Sequence, residues 1–449
     1  MRFKSTAVLF VVFVAIAGYI YFAEFHNTEE REKQEASKSN AIQVDAKDIT
    51  EISLAYAGQT ITGVKTGEKQ WEITAPERIA ADSDAWQQLT EGLVGVKRDE
   101  TVTEDAQDLS PYGLKEPAVQ VTAQLKDGKR VGLMIGGDNP KKNGKYAKLI
   151  DSNAVFLTAP PWELTFKKTL NDMRDKKIVH FEPDDIDGLT IVAGTTELAL
   201  EKITDGWRIR KPVDTAAEND EVNAFLTTMR LANASFPESA VDSKTTGLDS
   251  PSIRISLRDV KAKTDRVVIV GKAAAADRFY ARDLSRDSVF IIEKQIPEKA
   301  RQPLLVWRDK AITRTDSEKI DKIEIARGAE RIVLSKMGPD WKLADGAKAQ
   351  EAKVISILGV LLKDKVKDII DAPKPLQTYR LDQPRLEVIY REGSNEVANL
   401  AFGADSKNPD GVYAKNAKTS AVMILSMDAY KNINVTADAL RDTVPKPAQ

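Results

Sequence analysis

The sequence predicts an α+β fold, with an N-terminal single transmembrane helix followed by three tandem α+β repeat domains whose sheets are mostly antiparallel. Three observations predict it. An uncharged apolar run, Ser5 to Ala23, opens the chain of 449 residues. A set of short motifs then recurs three times in one order, with Trp71, Trp207 and Trp341 separated by 136 and 134 residues. Within each period, strand-like alternation is followed by one helical stripe and then by further strands.

The uncharged run comes first. As a helix its 19 residues span about 28 Å at 1.5 Å per residue, close to the roughly 30 Å hydrocarbon layer. Arg2 and Lys4 precede it and Glu24 follows, which places the N-terminus in the cytoplasm and the rest of the chain outside. Ala15-Ile16-Ala17 has the small-x-small form of a signal-peptide cleavage site, but the apolar run continues through Tyr19-Ile20-Tyr21-Phe22 and favours a retained anchor. Either reading exports the remainder. Residues 1–23 are thus read as cytoplasmic tip and anchor, and 24–44, polar and without apolar periodicity, as a tether.

The repeats follow at 45–182, 183–317 and 318–446. Tyr112-Gly113-Leu114 with Pro117 returns as Thr246-Gly247-Leu248 with Pro251, and again as Tyr379-Arg380-Leu381 with Pro384. Ile135-Gly136 returns as Val270-Gly271 and Phe402-Gly403, and Tyr146-Ala147 as Tyr280-Ala281 and Tyr413-Ala414. Val155-Phe156 returns as Val289-Phe290 and Val422-Met423; Arg174-Asp175 returns as Arg308-Asp309 and Arg441-Asp442. A unit of this length can bury its own core, so these are tandem domains and not a short-period solenoid.

Each unit opens on a strand (Ile52 and Leu54; Leu189 and Ile191; Ile323 and Ile325) and a second that ends near its Trp. A helix comes next. Val222, Phe225, Leu226 and Met229, then Val354, Ile357, Leu358 and Leu361, fall on one helical face; Trp86, Leu89, Leu93 and Val94 serve in the first unit, with Ser83 as N-cap. The Gly-Leu-x-x-Pro element breaks the helix and starts a run of strands, of which Val119, Val121 and Ala123 alternate. Ile135-Gly136 is expected to end a strand, with turn chemistry at Gly137-Asp138-Asn139-Pro140. A last amphipathic segment carries Leu170 and Met173 up to Arg174-Asp175.

Composition removes whole classes of function. Lys and Arg number 66 against 68 Asp and Glu, a net charge of -2, which argues against nucleic acid as a main partner. Cysteine is absent, so thiolate chemistry, disulfides and cysteine metal sites are excluded. With His26 and His180 the only histidines, and His26 in the tether, a Ser–His–Asp arrangement could draw only on His180. No P-loop, Gly-x-Ser-x-Gly or His-Glu-x-x-His pattern occurs. Glu182, Asp184, Asp185 and Asp187 form an acidic cluster without calcium-loop spacing. No catalytic residue, cofactor or metal site is assigned, and the chain is read as non-enzymatic.

The candidate interaction or structural positions are therefore the repeated ones. Arg174, Asp175, Arg308, Asp309, Arg441 and Asp442 could contact a partner in each unit or clasp one unit to the next; the clasp is favoured. Trp71, Trp207 and Trp341 are read as core, although exposed indoles could stack on sugars.

The order of the Trp-x-Ile strand at Trp71, the Tyr-Gly-Leu-x-x-Pro element, the Ile-Gly pair, the Tyr-Ala strand and the Arg-Asp-Lys end resembles the domain-of-unknown-function 4340 family. The third unit departs, with Arg380 for the glycine and Thr443 for the lysine. Members of that family are often membrane-anchored and encoded beside gliding-motility-type ABC transporters. The resemblance implies an extracytoplasmic auxiliary or scaffold component of an ABC transport complex, with permease and ATPase subunits as partners. It further implies single-pass residence in the cytoplasmic (inner) membrane, with the bulk of the chain periplasmic. The alternative is an envelope module binding polysaccharide or peptidoglycan through repeated aromatic surfaces, favoured if the three tryptophans are exposed.

Overall fold

A computed structural model of the chain describes residues 39–159, 162–237, 239–315 and 317–442. The expected anchor at 1–23 and the tether up to residue 38 lie outside them. Among the described residues no helix is long and apolar enough to cross a membrane.

The architecture is α+β in three repeats, each an antiparallel sheet with helices. In the first repeat the strands are β1 (Ile49–Tyr56), β2 (Gln59–Lys65), β3 (Trp71–Ala75), β4 (Ile79–Ala80), β5 (Glu100–Thr103), β6 (Val119–Leu125), β7 (Arg130–Asp138), β8 (Lys145–Leu149) and β9 (Val155–Thr158). Their order is β4-β3-β2-β1-β6-β7-β8-β9-β5. Two meanders, β1 to β4 and β6 to β9, meet where β1 pairs antiparallel with β6, Ile52 facing Ala123 and Leu54 facing Val121. The sheet between Ile186 and Glu293 repeats this order with eight strands, without a counterpart of β5. The sheet between Lys322 and Leu425 also has eight; it keeps the outer strand, Asp368–Ile370, against Val422–Leu425.

One long helix lies between the meanders in each repeat: Ser83–Val94, Asn219–Leu231 and Glu351–Leu362. Its apolar stripe is the buried one. Trp86, Leu89 and Leu93 are buried in the first, and Val222, Phe225, Leu226 and Met229 in the second. In the third, Val354, Ile357, Val360 and Leu361 are buried, while Leu358 is only half-buried. The first helix is capped by Asp82, whose carboxylate accepts from the Ala85 N–H at 3.1 Å. Ser83, expected as the cap, is instead the first helical residue, and its hydroxyl accepts from the Trp71 N–H at 3.2 Å.

The repeats place different side chains at equivalent core positions. In the first, Trp86 lies over Gly63, where an added Cβ would come within 2.6 Å of the indole. In the others the same helix and strand positions hold Val222 with Leu200 and Val354 with Leu334, all buried. Bulk moves from strand to helix while the layer stays filled, as close packing requires.

The Tyr-Gly-Leu and Ile-Gly landmarks are two sides of one contact. Gly113 and Gly247 take the left-handed conformation, φ 66° and 67°, and close the short turns before β6 and its counterpart. These turns pass directly over the glycine of the Ile-Gly pair. A Cβ on Gly136, Gly271 or Gly403 would stand 2.3, 2.1 or 2.1 Å from the carbonyl oxygen of Tyr112, Thr246 or Tyr379. The pair does not end its strand. β7 continues to Asp138, with an irregularity in its pairing to β8 between Ile135 and Asp138. Gly137 and Asp138 of the expected turn thus belong to the strand, and the turn centres on its last residues, Asn139 and Pro140, with the Asn139 side-chain oxygen accepting from the Asn143 and Gly144 N–H groups.

Arg380 takes the same left-handed conformation with φ 55° although it carries a Cβ, and its side chain is exposed. Arg380→Gly is therefore expected to raise stability by about 1 kcal/mol in denaturant unfolding, the cost of a left-handed non-glycine residue. Gly403→Ala is expected to lower it by about 3 kcal/mol, because strand and turn backbones must separate to admit the methyl group.

Candidate functional site

By contact density the described residues form two compact units, one running to Lys177 and including Asn233–Glu238, the other holding Ile178–Ala232 and the residues from Ser239 on. Each contains Arg-Asp landmarks, and in all three repeats these do the same thing. The segment after the last short helix returns to the strand-like residues just ahead of the long helix. Arg174 bridges Ala81, Arg308 bridges Ala217 and Arg441 bridges Ala349. The following N–H groups of Asp175, Asp309 and Asp442 donate to the carbonyls of Ala80, Ala216 and Lys348 at 2.9, 3.0 and 2.9 Å. Each repeat is thus closed at the sheet edge that carries its Trp.

The aspartate side chains then turn the chain. The Asp175 carboxylate accepts from the Lys177 N–H at 2.9 Å, and the Asp309 carboxylate from the Ala311 N–H at 3.0 Å. The arginines reach outward. In the first unit the Arg174 guanidinium lies 3.6 Å from the Phe236 ring centroid, a close cation–π contact, while Lys177 bridges Asn233. In the second unit Arg308 pairs with Asp371 at 2.7 Å, and Ala311 bridges Lys365, whose ammonium pairs with Glu218 at 3.3 Å. The second and third repeats are thereby joined by backbone and by charge. Arg441 stays within its own repeat and pairs with Asp345. Phe236, Asp371 and Asp345 carry no motif in the sequence; only the closing of the sheet edge brings them to the arginines.

The tryptophans are core. Trp71, Trp207 and Trp341 are 5%, 4% and 8% exposed. Trp71 stacks on Trp86 with ring centroids 5.5 Å apart, and the Trp86 indole N–H donates to the Met173 carbonyl at 3.0 Å, beside the Arg174 clasp. The Trp207 indole N–H donates to the Asn223 side chain at 3.1 Å. No face of the three indoles is presented for stacking on a sugar ring.

Titratable groups fit this structural picture. The Arg441 guanidinium, then the Ala347 N–H, hold the Asp345 carboxyl below its ordinary value. Burial, then Asp428, pushes Asp364 up, and burial pushes the Tyr390 phenol far up while its hydroxyl donates to the Ile357 carbonyl at 2.9 Å. His180 is exposed, and Asp187 of the acidic cluster pairs with Arg258. Among the described residues no group of three or more His, Asp or Glu could hold a metal ion. Clefts among the described residues include an open, strongly charged one of about 660 Å³ in the first repeat, lined by Asp45, Lys47, Lys65, Glu68, Lys69 and Lys126, and two smaller ones. One of about 360 Å³ in the first repeat has Lys97 and Asp99 as its charged lining, and one of about 440 Å³ in the second has Arg301.

The model of a domain of unknown function (DUF4340) matches three times, over residues 71–236, 207–354 and 341–447. The chain belongs to the DUF4340 family. Each DUF4340 match begins on one of the three tryptophans and so enters the fold at the third strand of a meander. No curated protein matches the chain. Among solved structures, DNA polymerase III subunit beta from Borrelia burgdorferi, in complex with a natural product, aligns at 7% identity over 88% of this DUF4340 chain and 96% of that one. The TM-score is 0.13, far below that of a shared fold.

The Arg441–Asp345 contact gives a pH-dependent expectation. A carboxyl held low in the folded state contributes stability above its unfolded value, and the contribution is lost as pH falls through the folded value. Asp345→Asn should be less stable than the parent at pH 7. The gap should close as pH falls below the ordinary carboxylate range, as read from denaturant midpoints across pH.

Proposed function

We propose that this chain is a non-enzymatic, membrane-anchored auxiliary or scaffold component of an ABC-type transport complex, with its three repeats outside the cytoplasmic membrane. The observation that carries this reading is where the repeated landmarks are spent. Trp, Tyr-Gly-Leu, Ile-Gly and Arg-Asp all go into closing and joining domains, so three copies supply reach and repeated surface in place of a repeated reaction centre. The uncharged run Ser5 to Ala23 supports the anchor, and Arg2 and Lys4 support the orientation. Burial of Trp71, Trp207 and Trp341 weighs against the envelope-polymer alternative, which needs aromatic surfaces in contact with solvent.

The test is affinity purification of the full-length chain from native membranes in mild detergent, followed by mass spectrometry. A control carries a foreign membrane helix in place of residues 1–23. Recovery of permease and ATPase chains, lost in the control, is the expected result. Absence of any transporter, under conditions that keep known complexes intact, would overturn the reading.

A further inference from the structure

The three repeats differ at one equivalent position with a consequence for the space beside it. The first hairpin of each repeat ends on a cross-strand pair before a two-residue turn: Tyr56 with Gln59, Ala193 with Thr196, Arg327 with Glu330. In the first repeat Tyr56 packs against the core. In the third, Arg327 crosses to the connection between the last two helices. It donates to the Asn434 side chain at 2.8 Å and the Val435 carbonyl at 3.3 Å, and pairs with Glu330 at 2.8 Å. In the second repeat the corresponding connection is Arg301-Gln302-Pro303, and Ala193 is too short to reach it.

What remains there is the cleft of about 440 Å³. Its walls include Leu198, Pro212, Leu304 and the buried Trp307, so it is largely apolar and of the size that holds a small molecule. Its one charged side chain is Arg301. The Arg301 guanidinium donates to the Ser252 hydroxyl at 3.1 Å and to the Pro297 carbonyl at 3.4 Å and lies 5.8 Å from the Phe279 ring centroid; among the described residues it is paired with no carboxylate. An apolar slot with a single unneutralised cation at its rim selects a ligand with an apolar chain and one anionic end.

We propose that the second repeat binds a medium-chain aliphatic carboxylate, its chain lying along Leu198, Pro212 and Leu304 and its carboxylate on Arg301. In the first and third repeats the larger Tyr56 and Arg327 stand at the position that Ala193 holds in the second. This stands independently of any transporter.

The test uses the full-length chain in membranes and a decanoate analogue bearing a photoreactive diazirine, with labelled peptides mapped by mass spectrometry. Label is expected on residues 191–212 and 300–307, competed by excess decanoate. Ala193→Tyr, which installs the residue of the first repeat, should cut that label about tenfold or more, and the smaller filling Ala193→Leu should cut it less. Arg301→Gln should weaken labelling by the carboxylate about fivefold while leaving the methyl ester of the probe unchanged, as loss of one charge-assisted contact implies. Label confined to other regions would overturn the proposal, as would label at the cleft that survives Ala193→Tyr and Ala193→Leu alike. Label that excess decanoate cannot displace would also overturn it, assigning the cleft to membrane lipid.

Discussion

Each repeat depends on the pairing of β1 with β6. These strands lie about 70 residues apart in the chain, and each begins a meander that could form alone. Separately, the meanders would be two small sheets with open edges, and unpaired edges invite association with other chains. Joined, they form one platform whose buried face receives the long helix. Ile52, Leu54, Val121 and Ala123 sit at the seam and are fully or almost fully buried. The helix lies between the meanders in sequence and packs on the face that the two share. Such non-local pairing comes at the cost of loop closure, which the core then offsets.

Around that seam the repeats keep geometry and change chemistry. The Tyr-Gly-Leu turn must pass within contact of the Ile-Gly strand, so one of its partners is always a glycine: Gly136, Gly271 or Gly403. The other partner is freer. Arg380 accepts the strained backbone that Gly113 and Gly247 adopt at ease. Two tyrosines complete the contact in the first and third repeats, where Tyr112 meets Tyr146 and Tyr379 meets Tyr413 edge to face. In the second, Thr246 stands in place of the first tyrosine and no such pair forms.

Much of this was legible in the sequence because it is periodic. The alternation at Val119, Val121 and Ala123 and the stripe at Val222, Phe225, Leu226 and Met229 report which side chains face a core, and those side chains are buried. Periodicity reports a face, not a neighbour. It gave no sign of the order of strands in the sheet, nor that β5, largely exposed and without apolar alternation, adds to the far edge beside β9. It also could not pair Arg174 with Phe236 or Arg308 with Asp371, since each pair joins an end of one repeat to a segment of the next. The difference between Tyr56, Ala193 and Arg327 could have been found by aligning the hairpin ends, but only the returning helical connection shows what the shorter side chain leaves open.

The clasp has a bearing on where this chain can be divided. The family match runs from Trp71 to Phe236, yet that stretch holds β6 without β1 and ends on a segment paired with Lys176 and Lys177. The piece that recurs in the sequence is therefore offset from the piece that closes on itself. A fragment cut to the recurring piece would begin with the middle of a sheet exposed. One cut after Asp175 or Asp309 would retain both meanders, the helix and the returning strand, and would give up the outward contacts of Arg174 with Phe236 or of Arg308 with Asp371.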